Sequence, residues 1–397
     1  MSELRALLTP LGLELVDRLG TIDSTGDVAR AVSRLRAEGH APDLVSAVVG
    51  QAHLRAKAAT KFGPFAGRML FTRAGLEQAT RLPVAIRHAG RMRGAGVRRV
   101  ADLGCGIGGD ALAFAGAGLD VHAVDADEVT AAIAAYNLAP FGDAATVAHG
   151  TAEEAEIDGC DAVWMDPARR TAGHSETRRV TADDYSPGLD WAFDLAARVP
   201  SGIKLGPAHD RDALPDDAEA QWVSADGSVV ELVVWTRELA RPGIRRAALV
   251  LRGDESHELT GAADAPDAPV RGLGAFLHEP DGAVIRARLI GDVARSLDAG
   301  MLDRRIAYLT SDAALTSPFV QSFRVRETMA ANPKAINAVL GAHDIGTLEI
   351  KKRGVDIDPA AFRRKLSLRG SQAATLFLVR IGDRRIAVLA DRVRAQA

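Results

Sequence analysis

The sequence contains only two cysteines, Cys105 and Cys160, in 397 residues. Two cysteines cannot build a disulfide framework, and neither stands at a spacing typical of metal ligands, so we expect no metal. No apolar run is long enough to span a bilayer, and the N-terminus lacks the charged-then-apolar layout of a secretion signal. These absences predict a cytoplasmic protein without a membrane partner.

The chain also has little net charge and few aromatic residues. Its formal net charge is -3, and aromatic residues make up 5% of it. A near-neutral chain does not attract polyanions as a whole, so a nucleic-acid interface would need a local basic patch. The hydrophobic share of 47% is ordinary for a globular protein, and the length predicts two or three domains.

The patterning divides the chain into four segments. Residues 1–92 show apolar side chains at helical spacing. Residues 93–243 alternate strand and helix patterns, which is typical of a parallel sheet with crossover helices and predicts an α/β fold. Residues 244–324 form a connecting α/β segment, and residues 325–397 form a small α+β domain.

The expected elements of the α/β domain follow from this alternation. Strands are predicted at Arg99–Leu103, Asp120–Asp125, Ala145–His149, 161–166 and 202–205, helices at 110–117, 127–139 and 183–197, and a hairpin of 221–225 with 229–237 at the sheet edge. A loop is expected at 253–269. Farther on, a helix capped by Asn332, a strand at 346–351, a helix at 359–366 and a hairpin of 374–381 with 385–390 are expected.

The run from Asp102 to Gly109 joins the first strand to the first helix through a glycine-rich turn. Glycine allows positive φ and close approach of a ligand, and the helix N-terminus presents free N–H groups. Asp125 ends the second strand, where a carboxylate can accept hydrogen bonds from both hydroxyls of a ribose. The same pattern fits NAD, because Gly104, Gly106 and Gly109 satisfy the dinucleotide fingerprint.

Asp102 distinguishes the two cofactors. A carboxylate two positions before the first glycine would repel a pyrophosphate. S-adenosylmethionine (SAM) instead carries an ammonium and a sulfonium, which a carboxylate attracts. This residue favours SAM over NAD.

Asp166 and Pro167 end the fourth strand after a run of apolar residues. They stand at the carboxyl edge of the sheet, where open α/β folds bind ligands. A carboxylate oxygen and a backbone carbonyl can accept both protons of an exocyclic amine and so aim its lone pair at a methyl donor. Methyl transfer mainly requires this positioning.

The glycine turn from Asp102, the strand-two aspartate and the Asp166-Pro167-Ala168-Arg169 segment resemble the class I SAM-dependent methyltransferases. Within that class, residues 60–240 are most similar to the trimethylguanosine synthase-like branch. Lys61-Phe62, Arg68 and Leu70-Phe71-Thr72 resemble the upstream segment of that branch, which folds over the cofactor. Enzymes of that branch carry an Asp/Asn/Ser-Pro-Pro-aromatic motif. Here Ala168 replaces the second proline of this motif, and Arg169 replaces its aromatic residue, which stacks on a target base. A guanidinium plane can also stack.

This resemblance implies a Rossmann-like sheet of seven strands and a set of site residues. The cofactor-binding residues would be Asp102, Gly104, Cys105, Gly106, Gly108, Asp125, Ala126, Thr151, Ala152 and Glu153, and the catalytic ones Asp166 and Pro167. Phe71, Arg169 and Lys204 would contact the acceptor.

The C-terminal segment around Gly346–Gly354 resembles the THUMP-like domain attached to bacterial methyltransferases. THUMP domains bind RNA, typically tRNA. The resemblance therefore implies a phosphate-contacting face formed by Lys351, Lys352 and Arg353, joined by Arg363, Arg364 and Lys365. The resemblance thus predicts methylation of a base nitrogen of RNA, with tRNA as one candidate. A protein or small-molecule acceptor, an NAD-dependent oxidoreductase and a non-catalytic RNA-binding protein are the alternatives.

Overall fold

The computed structural model describes residues 6–22, 24–169 and 185–393. The chain folds into two compact units. The first extends through Ala218 and takes in Leu232–Arg241, and the second consists of Glu219–Glu231 and the residues from Pro242 onward. Within the described ranges, no helix is long and apolar enough to cross a membrane.

The first unit begins with helices, as the apolar spacing predicted. They are α1 (Pro10–Leu19), α2 (Thr25–Ala37), α3 (Pro42–Phe62), α4 (Arg73–Gln78) and α5 (Leu82–Gly94). Ser24 caps α2 by accepting a hydrogen bond from the amide of Asp27, and Pro42 occupies the first turn of α3, where its missing N–H costs nothing.

A parallel sheet follows the helices. Its strands are β1 (Arg99–Leu103), β2 (Asp120–Asp125), β3 (Ala145–His149), β4 (Ala162–Met165) and β7 (Ser201–Leu205), connected by helices α6 (Gly109–Gly116), α7 (Glu128–Leu138) and α8 (Leu189–Ala196). The order is β3-β2-β1-β4-β7, and β9 (Ser228–Trp235) joins antiparallel to β7. With β8 (Glu219–Ala225), the hairpin partner of β9, these strands confirm the predicted Rossmann-like methyltransferase arrangement, but the complete sheet has nine strands where seven were predicted.

The helix predicted at 183–197 is too long. Residues 183 and 184 lie outside the described part of the chain, and β6 (Tyr185–Ser186) pairs antiparallel with β5 (Ala168–Arg169). Since Pro187 and Gly188 follow, the helix begins only at Leu189. Pairing with a strand far back in sequence left no local signal.

The β8–β9 hairpin turns at Asp226-Gly227, both at positive φ (51° and 81°), as a two-residue hairpin turn requires. It does not form the sheet edge that the sequence predicted. In the second unit, β10 (Arg246–Arg252) pairs parallel with β8 and β11 (Glu255–Gly261) pairs antiparallel with β10. The loop predicted at 253–269 therefore begins with a strand. This edge strand is only partly buried, and its polar sequence shows no apolar alternation.

The rest of the second unit is a seven-stranded sheet in the order β13-β14-β12-β15-β18-β17-β16. Its strands are β12 (Phe276–Pro280), β13 (Gly300–Asp303), β14 (Ile306–Ser311), β15 (Val320–Ala330), β16 (Ile345–Arg353), β17 (Gln372–Ile381) and β18 (Arg384–Arg392), and its helices are α9 (Gly282–Arg286), α10 (Ile290–Ser296), α11 (Pro333–Ala342) and α12 (Pro359–Arg363). Asn332 caps α11 through the amide of Ala335, and β17 pairs with β18, both as predicted.

Candidate active site

The glycine turn after β1 has the backbone that its sequence predicted. Gly104, Gly106 and Gly108 adopt φ of 84°, 57° and 83°, a region that side chains rarely enter. A Cβ on Gly104 would stand 3.2 Å from the carbonyl oxygen of Asp166. The glycine turn before α6 therefore contacts the turn that follows β4, and the absence of a side chain on Gly104 permits this contact.

Asp102 is buried at the end of β1, and neither of its carboxyl oxygens has a hydrogen-bond partner among the described residues. Burial, together with the negative charges of Asp110 and Asp166, raises the pKa of this carboxyl well above its usual range. A buried polar group without a partner is costly. The ammonium of the methionine part of SAM is a suitable partner, and a pyrophosphate is not.

Asp125 ends β2 and connects the glycine turn to the next loop. One carboxyl oxygen accepts a hydrogen bond from the amide of Gly106 at 2.9 Å, and the other accepts from the amide of Asp127 at 3.0 Å. Burial raises the pKa of Asp125. The same carboxylate can accept further hydrogen bonds, so it fits a ribose while it orders the loop.

Three more predicted cofactor residues follow β3. Thr151 donates a hydrogen bond to Glu154 at 3.0 Å, Ala152 is buried, and Glu153 is exposed. Ala126 hydrogen-bonds through its carbonyl to the ring of His149. These residues follow the ends of β2 and β3, which are neighbouring strands of one sheet.

A cavity of about 1150 Å³ runs from this loop along β3. Thr151 and His149 line one end, and Cys160 and Arg99 line the other. The connection from β3 to β4 contains a short 3-10 turn, Ala152–Glu154, next to this cavity. The cavity is distinct from the Asp166 region, whose residues do not line it.

Cys105 is the remaining predicted residue of the glycine turn. It is buried, and burial raises the pKa of its thiol well above the usual range. A protonated, enclosed thiol is a packing group and a poor nucleophile.

On the acceptor side, Asp166 pairs with Lys204, the predicted acceptor contact on β7. The Nζ atom of Lys204 lies 2.5 Å from Oδ2 of Asp166. Lys204 also donates to the hydroxyl of Thr80 at 2.9 Å. The structure thus brings together Asp166 and Lys204, which come from β4 and β7.

Three residues of this network were missed by the sequence analysis: Thr80, Asp110 and His88. The Thr80 hydroxyl donates to Asp110 at 2.7 Å, and Asp110 bonds Nδ1 of His88 at 2.8 Å. Burial opposes ionisation of Asp110, but His88, Lys204 and Thr80 together lower its pKa. Asp110 at the second helical position after the glycine turn was the one local signal, since its partners come from elsewhere in the chain.

The segment Met69–Phe71 is held by side chains rather than by a strand. Gln51 bonds both the amide and the carbonyl of Phe71, and Asn137 bonds both backbone groups of Leu70 and the carbonyl of Ile107. The Phe71 ring is fully buried, 5.7 Å from that of Phe62. Phe71 therefore presents no surface to an acceptor in this structure.

Two other predicted contacts lie differently. The backbone of Arg169 forms β5 with Tyr185 opposite it, but its side chain is outside the described part of the chain. Lys351 pairs with Glu279 at 2.5 Å, and Arg353 stacks on Tyr308 at 5.3 Å. Only Lys352 of the predicted basic run is exposed, so the run does not form a single open basic face.

Comparisons with known proteins match several parts of the chain. Residues 320–392 match the family described as THUMP domain-like, and residues 1–58 match a domain of unknown function (DUF8688). An uncharacterized S-adenosylmethionine-dependent methyltransferase of Mycobacterium tuberculosis is 36% identical over 362 residues, covering 88% of this chain and 95% of the relative. A putative methyltransferase from Porphyromonas gingivalis W83 has the same fold, with a TM-score of 0.72, 19% identity and coverage of 95% and 100% of the two chains.

Proposed function

Because this chain belongs to the S-adenosylmethionine-dependent methyltransferases, we propose that it methylates a base nitrogen of RNA, with tRNA as the first class to test. The THUMP domain-like match over residues 320–392 supports an RNA acceptor, since THUMP domains bind RNA. The SAM cofactor argues against the NAD-dependent alternative. The cytoplasmic location that the sequence predicts is part of this proposal.

The observation that carries the proposal is the contact between the glycine turn and the Asp166 turn. Only 3.2 Å separates the Asp166 carbonyl oxygen from the position of a Cβ on Gly104. In-line transfer requires the reacting atoms to be held within a few ångströms of each other. This contact supports Asp166 and Pro167 as the residues that receive the acceptor nitrogen.

In this proposal, one group of residues binds SAM and another binds the methyl acceptor. When bound, SAM supplies an electrophilic methyl group. Asp102 would hold its ammonium and Asp125 its ribose. Asp166 and a backbone carbonyl of its turn would accept the N–H groups of the acceptor, while Lys204 holds the Asp166 carboxylate in place.

We further propose that the enzyme is related to the trimethylguanosine synthase-like branch. The Asp166-Pro167 pair and the segment around Phe71 support this placement. Arg169 takes the position of the stacking aromatic, so its guanidinium would cover the base face.

Transfer of a radiolabelled methyl group from SAM to unmodified small RNA tests the proposal, with protein and DNA fractions run alongside. We expect nuclease-sensitive label with the wild-type enzyme and none with Asp166→Ala, which should still bind SAM. Label in the protein fraction, with none in RNA, would show that the methyl acceptor is a protein. RNA that binds without ever gaining label would favour a non-catalytic RNA-binding role.

A further inference from the structure

Residues 44–101 carry a strong excess of positive charge. This stretch contains eleven Lys or Arg residues and a single acidic one, Glu77, whereas the whole chain has a net charge of -3. A polyanion is attracted to such a local field even when the protein is near neutral overall. The stretch includes α3 from Leu44 onward, α4 and α5, all within the first unit.

Two cations of this stretch, the buried Arg55 and the half-buried Lys61, have structural partners. Arg55 is buried and pairs with Asp17 at 2.9 Å. Lys61 donates to the carbonyls of Leu76, Glu77 and Ala79 and so caps the end of α4. Burial, with Arg81 and Lys204 nearby, lowers the pKa of Lys61 to about 8. These side chains are explained by the fold.

Lys57, Arg68 and Arg73 differ from Arg55 and Lys61, whose partners within the fold are described above. All three are exposed, and none forms an ion pair with another residue that the structure describes. Phe65 lies between them in sequence, on the 3-10 turn Gly63–Arg68, with 52% of its surface exposed. Exposed cations that lie close in sequence to an exposed aromatic residue are a combination that can bind single-stranded nucleic acid, through phosphates and base stacking.

The elements that carry these residues border the active site. A Cβ on Gly75 in α4 would stand 2.5 Å from the side chain of Ile107, in the glycine turn. Thr80, just after α4, bonds both Asp110 and Lys204. Single-stranded RNA bound along α4 would therefore extend toward Asp166.

We propose that Lys57, Phe65, Arg68 and Arg73, here called the 57–73 surface, bind the backbone and one unstacked base of the RNA substrate. This inference rests on the proposed RNA acceptor. It also moves the main phosphate contacts away from the β16 run, where Lys351 and Arg353 are engaged by Glu279 and Tyr308.

The test measures binding of a labelled short single-stranded RNA and of unmodified tRNA transcript by fluorescence anisotropy over a range of salt concentrations. The full-length double variant Arg68→Glu/Arg73→Glu is compared with a matched control, Arg286→Glu/Arg304→Glu, whose residues are also exposed and lie outside the THUMP domain-like match. Arg73 begins α4, where an acidic side chain favours the helix, so the fold should persist. Thermal unfolding and SAM affinity check this.

We expect the Arg68→Glu/Arg73→Glu variant to bind RNA at least tenfold more weakly. The slope of log affinity against log salt should shrink by about 1.4, because each phosphate contact on a single strand contributes about 0.7. Phe65→Ser should cost about tenfold with the slope unchanged, since stacking does not depend on salt as ion release does. The control should bind as the wild type does.

The proposed 57–73 surface would be wrong if the Arg68→Glu/Arg73→Glu variant kept the wild-type RNA affinity and salt dependence. It would also be wrong if the wild-type enzyme bound no RNA. The two proposals fail separately. If the wild type methylates RNA and the variant keeps its kcat/KM, the RNA acceptor stands and the surface is wrong. If RNA binds through the surface but never gains a methyl group, the surface stands and the RNA acceptor is wrong.

Discussion

The Nζ atom of Lys204 lies 2.5 Å from the carboxylate of Asp166, and the same ammonium donates to Thr80. The pair joins β4 to β7, the two strands whose ends surround the proposed acceptor position. Asp102 stands near both Asp110 and Asp166, and the charge of Lys204 also acts on Asp102 and Asp110, so this cation offsets the charge of all three carboxylates. Lys204 is thus placed to fix the orientation of Asp166.

Replacing Lys204 by methionine should therefore lower kcat roughly a hundredfold, because a small displacement of a positioning group can cost that much. Lys204→Arg keeps the cation and should recover part of the rate. Methyl transfer under saturating SAM measures both variants, and titration calorimetry measures their SAM affinity. A Lys204→Met enzyme with wild-type kcat would show that Asp166 needs no support from β7.

Asp125→Ala should weaken SAM binding at least tenfold. The carboxylate accepts from the amide of Gly106, and in the proposed site it would also accept from the ribose of SAM. Each hydrogen bond to a charged acceptor is worth about 1.5–3 kcal/mol. Calorimetric titration with SAM checks this. Asp127→Ala is the matched control, because Asp127 caps α7 by accepting from Thr130 but does not bond the glycine turn. Equal affinities for the two variants would remove Asp125 from the site.

The cofactor side was predicted from the sequence more fully than the acceptor side, for a physical reason. The Asp102–Gly109 turn and Asp125 are local features, in which each strand end is marked by its own residues. The network around Lys204 is not local: Thr80 lies 124 residues from Lys204 and 30 from Asp110. Single-sequence patterns carry no record of such pairings.

In the basic run of β16, the sequence predicted a binding face that the structure does not form. Lys351, Lys352 and Arg353 look alike in the sequence, but alternate residues of a strand point to opposite faces. Lys351 and Arg353 are drawn to Glu279 and Tyr308, and Lys352 alone is exposed. Charge in a sequence predicts a binding face only when its counterions within the fold are known.

Asp102→Asn should stabilise the protein without SAM and weaken SAM binding. Burial raises the pKa of Asp102 in the folded state, whereas the unfolded chain releases this proton at the ordinary value near 3.9. Ionisation between those two values favours the unfolded chain. The wild type should therefore lose stability relative to the variant as pH rises through that window.

Thermal unfolding of both proteins between about pH 5 and pH 8, with and without S-adenosylhomocysteine, measures this effect. The gap in Tm between the ligand-free proteins should widen as pH rises, and the ligand should stabilise the variant less because its ammonium loses a carboxylate. Asp120→Asn, at an exposed site 4.0 Å from Arg99, is the control. A gap that stays constant with pH would show that Asp102 does not titrate in this range.

Asn137→Ala should destabilise the first unit by at least about 3 kcal/mol. Asn137 satisfies three buried backbone groups, the amide and carbonyl of Leu70 and the carbonyl of Ile107. Each one left without a partner costs about 1–3 kcal/mol. SAM affinity should fall as well, because Ile107 belongs to the glycine turn.

Asn337→Ala is the matched control for this prediction. Asn337 also bonds two backbone groups, the carbonyl of Lys365 and the amide of Ser367, but in an exposed position, where water replaces the lost side chain. Its cost should stay below about 1 kcal/mol, with SAM affinity unchanged. Denaturant unfolding and calorimetry compare the two variants. If Asn137→Ala costs no more than Asn337→Ala, the segment around Leu70 is held by packing of its side chains and not by the Asn137 amide.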